Sequence, residues 1–216
     1  MIQRDYFMRM VEMLSTVLVR VLLNKEKRNY EEAEKEIETA AKTIVGLDLN
    51  IIGVLGISDV IKLMKTSDVY SGRCLISAEL LKEYGDIFRS KENFKNADNF
   101  HLKALWLYSE ALTTKEIPEP GTYFPKLNEL LMYCSETEFP AEMKESLFQY
   151  FEMSGQYSKA EDILFELIDD DREGINKKAI AFYNRLKLLS DDKLVEGNLS
   201  REEVEESLEE ITGTQH

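Results

Sequence analysis

Apolar residues recur at helical intervals on both sides of a short polar break in residues 79–111. Before the break, three large apolar residues and one glycine share a helix face: Leu81, Tyr84, Gly85 and Phe88. After the break, one aromatic and three small residues resume the pattern: Phe94, Ala97, Ala104 and Ala111. The segment is therefore predicted to form a helical hairpin, in which Gly85 allows the two helices to approach closely.

The pattern of the second helix occurs at two further places in the chain. Tyr30 and Ala33 carry it before the central hairpin, and Tyr157 and Ala160 carry it afterwards. Together with Ala97, the alanines are separated by 64 residues (33 to 97) and 63 residues (97 to 160). A tetratricopeptide (TPR) repeat takes about 34 residues, so each interval is close to two repeat lengths. The intervening stretches are predicted to be degenerate helical repeats.

Further helices are predicted around these hairpins, for a total of roughly nine or ten. An apolar helix over 2–24 opens the chain, and Leu47–Gly56 is predicted to be a linker before a short helix capped by Ser58. The proline-containing segment 115–123 is the clearest break in the chain. The later predicted helices cover 125–134, 140–153, 175–189 and 200–211, the last opened by a capping box of Ser200 and Glu203.

The order of residue types in 79–111 resembles a TPR repeat. His101 departs from that pattern, because it stands where an aromatic or aliphatic residue is usual, and it is predicted to fill the core. The opening run Arg4–Glu12 resembles the start of a bacterial family of TPR-like proteins of unknown function. The resemblance implies an all-α, TPR-like α-α superhelix that covers residues 1–216 as a single domain. The break at residues 115–123 allows two sub-lobes within this domain, 1–115 and 122–216, joined by a Pro/Gly-containing loop.

Charge limits the classes of partner. The 216 residues include 27 Lys and Arg against 41 Asp and Glu, which gives a net charge of −14. Nucleic acid and anionic membranes are therefore disfavoured, and a basic protein or peptide is favoured. Arg9, Glu12 and Arg20 interrupt the apolar N-terminal run, so neither a signal peptide nor a membrane span is expected. A cytoplasmic location is expected.

No residue pattern typical of catalysis occurs in the sequence. The segment from Gly53 to Gly56 lacks the lysine and the third glycine of a phosphate-binding loop. Cys74 and Cys134 have no metal-like spacing and are predicted to be buried free thiols. With only two histidines in the chain, a non-enzymatic protein without metal or cofactor is expected. An enzyme or small-molecule sensor with a pocket inside the superhelix is the less favoured alternative.

A TPR-like superhelix lines a concave groove with its first helices, and the outward residues there select a ligand. In the central hairpin these positions are Glu79, Lys82, Asp86 and Arg89. In the third matched unit they are Glu142, Glu145, Gln149 and Glu152. Asp86 replaces the Asn of TPR domains that hold a peptide carboxylate, so that mode is not expected. The acidic second set suits a basic or amphipathic peptide, and ordinary solvated positions are the alternative.

The apolar face of the first helix is wider than the area that one neighbouring helix covers. A buried interior helix is the favoured prediction, and a homodimer seam is the alternative. The residues of that candidate oligomer face are Phe7, Met10, Leu14, Leu18 and Val21. The sequence therefore predicts a protein- or peptide-binding scaffold, with a structural homo-oligomer as the alternative.

Overall fold

The computed structural model describes residues 2–66, 69–170 and 174–213, and within these ranges the chain contains helices and no strands. The chain divides into two compact units, Met1–Thr137 and Glu138–His216. The division follows Thr137, so the proline-containing segment 115–123 belongs to the first unit. The all-helical class predicted from the sequence is confirmed for the described residues.

The first unit has seven described α-helices. They are α1 (Ile2–Glu26), α2 (Tyr30–Ala40), α3 (Leu49–Val54), α4 (Ile57–Met64), α5 (Tyr70–Ser90), α6 (Phe94–Leu112) and α7 (Phe124–Tyr133). A π-helical turn, Ala41–Val45, continues α2, and a 3-10 turn, Pro120–Tyr123, leads into α7. The predicted helices over 2–24 and 125–134 are confirmed, with small differences at their ends.

Helices α5 and α6 pack along their lengths and form the centre of the first unit. A Cβ atom added at Gly85 would lie 2.6 Å from Nε2 of His101 and 3.2 Å from the carbonyl oxygen of Ala97. Only a residue without a side chain fits there, which confirms the predicted close approach. Tyr84 adds an edge-to-face contact with Phe100, at 4.9 Å between ring centroids.

The second unit has five described α-helices: α8 (Ala141–Met153), α9 (Tyr157–Asp169), α10 (Ile175–Leu186), α11 (Asp191–Glu196) and α12 (Arg201–Gly213). α8 and α9 form a hairpin, and α10 packs against α9 and α12. At the start of α12, the backbone N–H of Ser200 donates to the Glu203 carboxylate at 2.7 Å. The backbone N–H of Glu203 donates to Oγ of Ser200 at 3.1 Å, so the predicted capping box is confirmed.

The same turn closes three hairpins. In each, a residue with positive φ stands two positions before the aromatic residue that opens the second helix: Arg28 (57°), Glu92 (59°) and Gly155 (75°). The next residue donates its backbone N–H to the carbonyl five residues earlier, as Asn93 does to Phe88 at 2.9 Å. The fourth residue of each second helix is a fully buried alanine: Ala33, Ala97 and Ala160. The three matched units are therefore confirmed as helical hairpins.

Three local features differ from the prediction. The expected linker Leu47–Gly56 contains α3, because a carboxylate oxygen of Asp48 accepts the N–H of Asn50 at 2.9 Å and caps a helix with a buried apolar side. Ser58 does not cap α4, whose N-cap is Gly56. The predicted helix 175–189 ends at Leu186, and α11 follows it with Leu194 buried. The described residues thus hold twelve α-helices rather than nine or ten.

Candidate functional site

The predicted groove residues on α5 lie beneath α7. Glu79 is buried, and its carboxylate accepts hydrogen bonds from Nζ of Lys126 on α7. Lys82 is also buried, with its Nζ 2.9 Å from the Asp86 carboxylate and 3.0 Å from the Glu129 carboxylate on α7. This placement corrects the expectation that Glu79 and Lys82 face a ligand, because α7 supplies their ionic partners.

Asp86 is the centre of this ionic cluster. Its carboxylate lies 2.9 Å from Nζ of Lys82, 2.9 Å from Nε2 of His101 and 3.6 Å from Nζ of Lys25 on α1. Burial favours the neutral acid, but the hydrogen bond from His101 and the two lysines outweigh it and lower the pKa of Asp86 to about 2. Asp86 therefore carries its charge throughout the neutral range and joins three helices.

His101 is enclosed by the same cluster. Its side chain is fully buried, its ring stacks on Tyr133 at 4.8 Å, and Nδ1 has no hydrogen-bond partner among the residues that the structure describes. The Arg89 guanidinium also packs on the Tyr133 ring, 4.3 Å from its centroid. The prediction that His101 fills the core is confirmed. The imidazole is therefore closed to solvent within the first unit.

A buried lysine outside the predicted set holds α3 against α6. Nζ of Lys103 donates to the carbonyls of Ile52 and Gly53, at 2.8 and 3.2 Å, and to Oδ1 of Asn99 at 2.8 Å. Burial lowers the pKa of Lys103 to about 8. The ammonium group thus caps the last carbonyls of α3, where a cation is favoured.

The second predicted set lies on α8, and the structure connects part of it to α10. Nζ of Lys178 donates to Glu145 at 2.7 Å, and Arg185 makes a two-pronged bond to Glu152 at 2.6 and 2.8 Å. Gln149 is exposed between these two ion pairs, and Glu142 is exposed at the start of the helix. The set is therefore less acidic than the sequence of α8 alone suggests.

The cations on α10 that pair with the candidate residues of α8 were not predicted from the sequence. Lys178 and Arg185 each stand 33 residues after their carboxylate partners. That offset is close to the length of one helical repeat. A basic residue about one repeat after each acidic position is therefore the sequence signal that could have predicted these ion pairs.

The predicted oligomer face on α1 is only partly accessible. Met10, Leu14 and Val21 are buried within the first unit, where α1 packs against α2 and α5. Phe7 and Leu18 are half-buried, and Phe7 lies against Gly72 of α5. The prediction that Met10, Leu14 and Val21 belong to an oligomer face is therefore corrected, because these residues already form part of the unit's own core.

A second apolar row on α1 is partly exposed, with Val11 and Leu18 half-buried. Met8, Val11, Leu18 and Leu22 recur at steps of three, seven and four residues, which is the spacing of a helix–helix seam. Met8 is 45% and Leu22 is 49% exposed, and the adjacent Val19 is 58% exposed. We call these five residues the α1 stripe. The wide apolar face expected from the sequence thus has one buried row and one partly exposed row.

Comparison with known proteins assigns the chain to a family. A family model described as "Family of unknown function (DUF6483)" matches residues 1–216. The chain belongs to this family. A search of curated proteins and a search of solved structures found no match.

The family covers both units, so the ionic cluster, the α8 positions and the α1 stripe all lie within it. Among the described residues of this family member, no helix is both long and apolar enough to cross a membrane. In the same part of the chain, no three His, Cys, Asp or Glu side chains are grouped to hold a metal ion. The two cysteines are buried free thiols as predicted, and burial raises the pKa of each to about 12.

Proposed function

We propose that this protein is a non-enzymatic binding scaffold whose α1 stripe takes an amphipathic helix of a partner protein. The observation that supports this proposal is the partly exposed second apolar row on α1, in which Met8, Val19 and Leu22 are each about half exposed. From Met8 to Leu22 it extends about 21 Å along the helix, which suits a partner helix of about four turns. In our proposal the hairpins form a TPR-like superhelix in a cytoplasmic, bacterial protein.

The charges beside the α1 stripe favour a basic partner. Asp5, Glu12, Val19 and Glu26 follow one another at seven-residue steps, and the three acidic residues of this series are exposed. Of the cations on α1, Lys25 is bound to Glu83 at 2.7 Å, Arg20 is paired with Glu36 at 3.4 Å, and Arg9 is exposed. A partner helix with lysine or arginine beside its apolar row therefore complements this surface. A second copy of the chain presents the same acidic row, which disfavours self-pairing through the α1 stripe. A homo-oligomer through this helix is therefore the alternative, not the first proposal.

Replacing Val19 and Leu22 together with glutamine is expected to weaken partner binding at least tenfold, because both side chains are about half exposed and their loss removes apolar area from the seam. The probe is a synthetic helical peptide with a leucine seam and lysine flanks, and a matched peptide carries glutamate flanks. Fluorescence anisotropy of the labelled peptides measures their binding to the wild type and to the Val19 and Leu22 variant. We expect the lysine peptide to bind the wild type more tightly, in a salt-sensitive manner.

The control variant carries glutamine at Leu188 and Val195, which are 86% and 66% exposed in the second unit. It is expected to bind the lysine peptide as the wild type does. If the wild type binds the lysine and glutamate peptides equally well, the proposal of a basic partner is contradicted. If the Val19 and Leu22 variant binds the lysine peptide as tightly as the wild type does, the α1 stripe is not the binding site. Sedimentation equilibrium distinguishes the partner proposal from the homo-oligomer. If the wild type is a dimer and the Val19 and Leu22 substitutions dissociate it, the homo-oligomer is supported instead.

A further inference from the structure

The first unit contains a crevice between α1 and the π-helical turn Ala41–Val45. It has two halves of about 330 Å³ each, and Thr43 and Ile44 line both of them. On α1 its lining extends from Tyr6 to Arg20, which is about 21 Å along the helix. Helical spacing places these residues on the opposite side of the buried row from the α1 stripe. The crevice is therefore a surface separate from the proposed partner site.

The crevice lies where α2 changes its helix type. Within the first unit, α2 buries Ala33, Ile37 and Ala40 at helical intervals. The π turn that follows has i→i+5 hydrogen bonds, so it holds more residues per turn and its side chains leave that register. Single π turns of this kind occur frequently at functional sites. The change of helix type thus leaves space beside α1 at Thr43 and Ile44.

The half of the crevice beside α2, which we call the tail half, offers a ligand mainly carbon. Met13 is 45% exposed and supplies apolar surface there. The hydroxyl of Thr16 donates to the carbonyl of Glu12 at 3.2 Å. The hydroxyl of Thr43 donates to the carbonyl of Thr39 at 2.6 Å. Because both hydroxyl hydrogens are already bonded, these exposed threonines present methyl carbons rather than free donors.

An ion pair closes the far end of the tail half. Nε of Arg20 lies 3.4 Å from the Glu36 carboxylate, so the pair links α1 to α2 there. The two charges compensate each other, and a charged ligand group gains little at this end. The tail half therefore suits an uncharged aliphatic chain, whose binding is favoured by the apolar area removed from water.

The other half, which we call the head half, is positively charged. The Arg73 guanidinium lines it and donates to the carbonyls of Val45 and Leu63, at 3.2 and 3.3 Å. No carboxylate pairs with Arg73 in the part of the chain that the structure describes. Lys42 is paired with Asp48 at 3.1 Å, but its side chain is 57% exposed. One positive charge thus remains uncompensated here, in a chain whose net charge is −14.

The dimensions of the crevice limit the ligand. Each half has about twice the volume of the ~150 Å³ cavity that holds the six carbons of benzene. Carbon–carbon bonds are about 1.5 Å long, so an extended chain of about ten to twelve carbons is shorter than the lining of α1. A single unbranched chain with its head group therefore fits along the crevice.

We propose that the crevice binds a single-chain amphiphile with an aliphatic tail and an anionic head, such as a medium-chain fatty acid or an alkyl phosphate. The tail covers Met13 and the two threonines of the tail half. The carboxylate or phosphate oxygens accept hydrogen bonds from Arg73 and Lys42 in the head half. A cationic amphiphile of the same length meets the same apolar surface but is repelled by the head half.

Isothermal titration of the intact protein with decanoate and with decyl phosphate, below the concentrations at which they form micelles, tests this proposal. Decyltrimethylammonium has the same tail with a cationic head, and acetate has the head without the tail. We expect saturable binding of one anion per chain, and binding of the other two probes that is weaker by about tenfold or more. The relative affinities of decanoate and decyl phosphate show which head group the site prefers. Equal binding of the cationic probe, or no saturable binding of either anion, overturns the proposal.

Substitutions at Thr43 locate the ligand within the crevice. Thr43→Phe places a ring where the two halves meet, and it is expected to weaken decanoate binding by about tenfold or more because the tail loses its space. Thr43→Val keeps the shape of the side chain and is expected to bind decanoate as the wild type does. Thr43 is exposed, so neither substitution enters the core. Undiminished binding by Thr43→Phe contradicts the crevice as the site.

Lys42→Gln tests the head half. It removes one cation and leaves the Asp48 carboxylate uncompensated, so decanoate binding is expected to weaken by about fivefold. Lys35→Gln is the matched control, because Lys35 is an exposed lysine of α2 that is also paired, at 3.7 Å from Glu32. Equal effects of the two substitutions contradict the positive head half. The Val19 and Leu22 variant is expected to bind decanoate normally, and loss of binding there would place the amphiphile on the α1 stripe and overturn the proposal.

Discussion

Replacing Asp86 with alanine is expected to lower the free energy of unfolding of the first unit by about 3–5 kcal/mol, the range for removing one partner of a buried ion pair. The substitution removes the carboxylate that is bonded to Nε2 of buried His101, and it takes from Lys82 one of the two carboxylates that contact it among the described residues. Urea unfolding followed by fluorescence of Trp106, the single tryptophan, measures the effect, because this residue is buried in α6 of the first unit.

The matched control is Asp98→Ala. Asp98 pairs with Arg89 at 3.4 Å, but its side chain is 57% exposed, so its loss is expected to cost about 0–1 kcal/mol. The two variants remove the same chemical group from the same pair of helices and differ in burial and partners. Equal destabilisation by both would contradict the central role of Asp86.

The pH dependence of stability follows from the same carboxylate. The pKa of Asp86 is about 2 in the folded protein against an ordinary value of 3.8, so its contribution is complete above pH 3.8 and is lost as the pH falls towards 2. The difference in unfolding free energy between wild type and Asp86→Asn is expected to shrink by about 2 kcal/mol over that window. A difference that stays constant from pH 4 to pH 2 contradicts the lowered pKa.

Helical hairpins were predictable because their information is local. An aromatic residue followed three positions later by a small one, after a short polar turn, recurs at Tyr30, Phe94 and Tyr157, and each opens a helix. The short helices α3 and α11 depend on contacts beyond that local pattern. The carbonyls at the end of α3 are capped by Lys103 and Asn99, nearly fifty residues away in sequence. Periodicity over six residues does not reveal such partners.

The candidate sites were less predictable, since their exposure depends on tertiary neighbours. Glu79 and Lys82 have the spacing of groove residues, but Lys126 and Glu129 of α7 cover them. On α1, two apolar rows are equally visible in the sequence, and only the packing of α2 and α5 decides which row is buried. The sequence therefore supplies the set of candidate surfaces, and the fold selects the accessible ones.

Replacing Gly85 with alanine is expected to destabilise the first unit by a net amount of about 2 kcal/mol, opposite in sign to the helix propensity of the two residues. In a helix interior alanine is favoured over glycine by about 1 kcal/mol. Here, however, the added methyl group meets the His101 ring and lies 3.2 Å from the carbonyl of Ala97. His101 is fully buried between Asp86 and Tyr133, and the carbonyl belongs to the α6 backbone, so neither moves without cost. Urea unfolding followed by Trp106 fluorescence measures the change.

Gly121→Ala is the control, because a Cβ atom there meets nothing within 4 Å. It is expected to change the unfolding free energy by less than about 1 kcal/mol, since no contact opposes the methyl group. A second comparison combines Gly85→Ala with His101→Ala, which removes the ring that the methyl group strikes. The two substitutions are expected to destabilise by less than the sum of their separate effects, because they act on one contact. Strict additivity, or a stabilised Gly85→Ala protein, would show that α5 and α6 do not meet closely at this position.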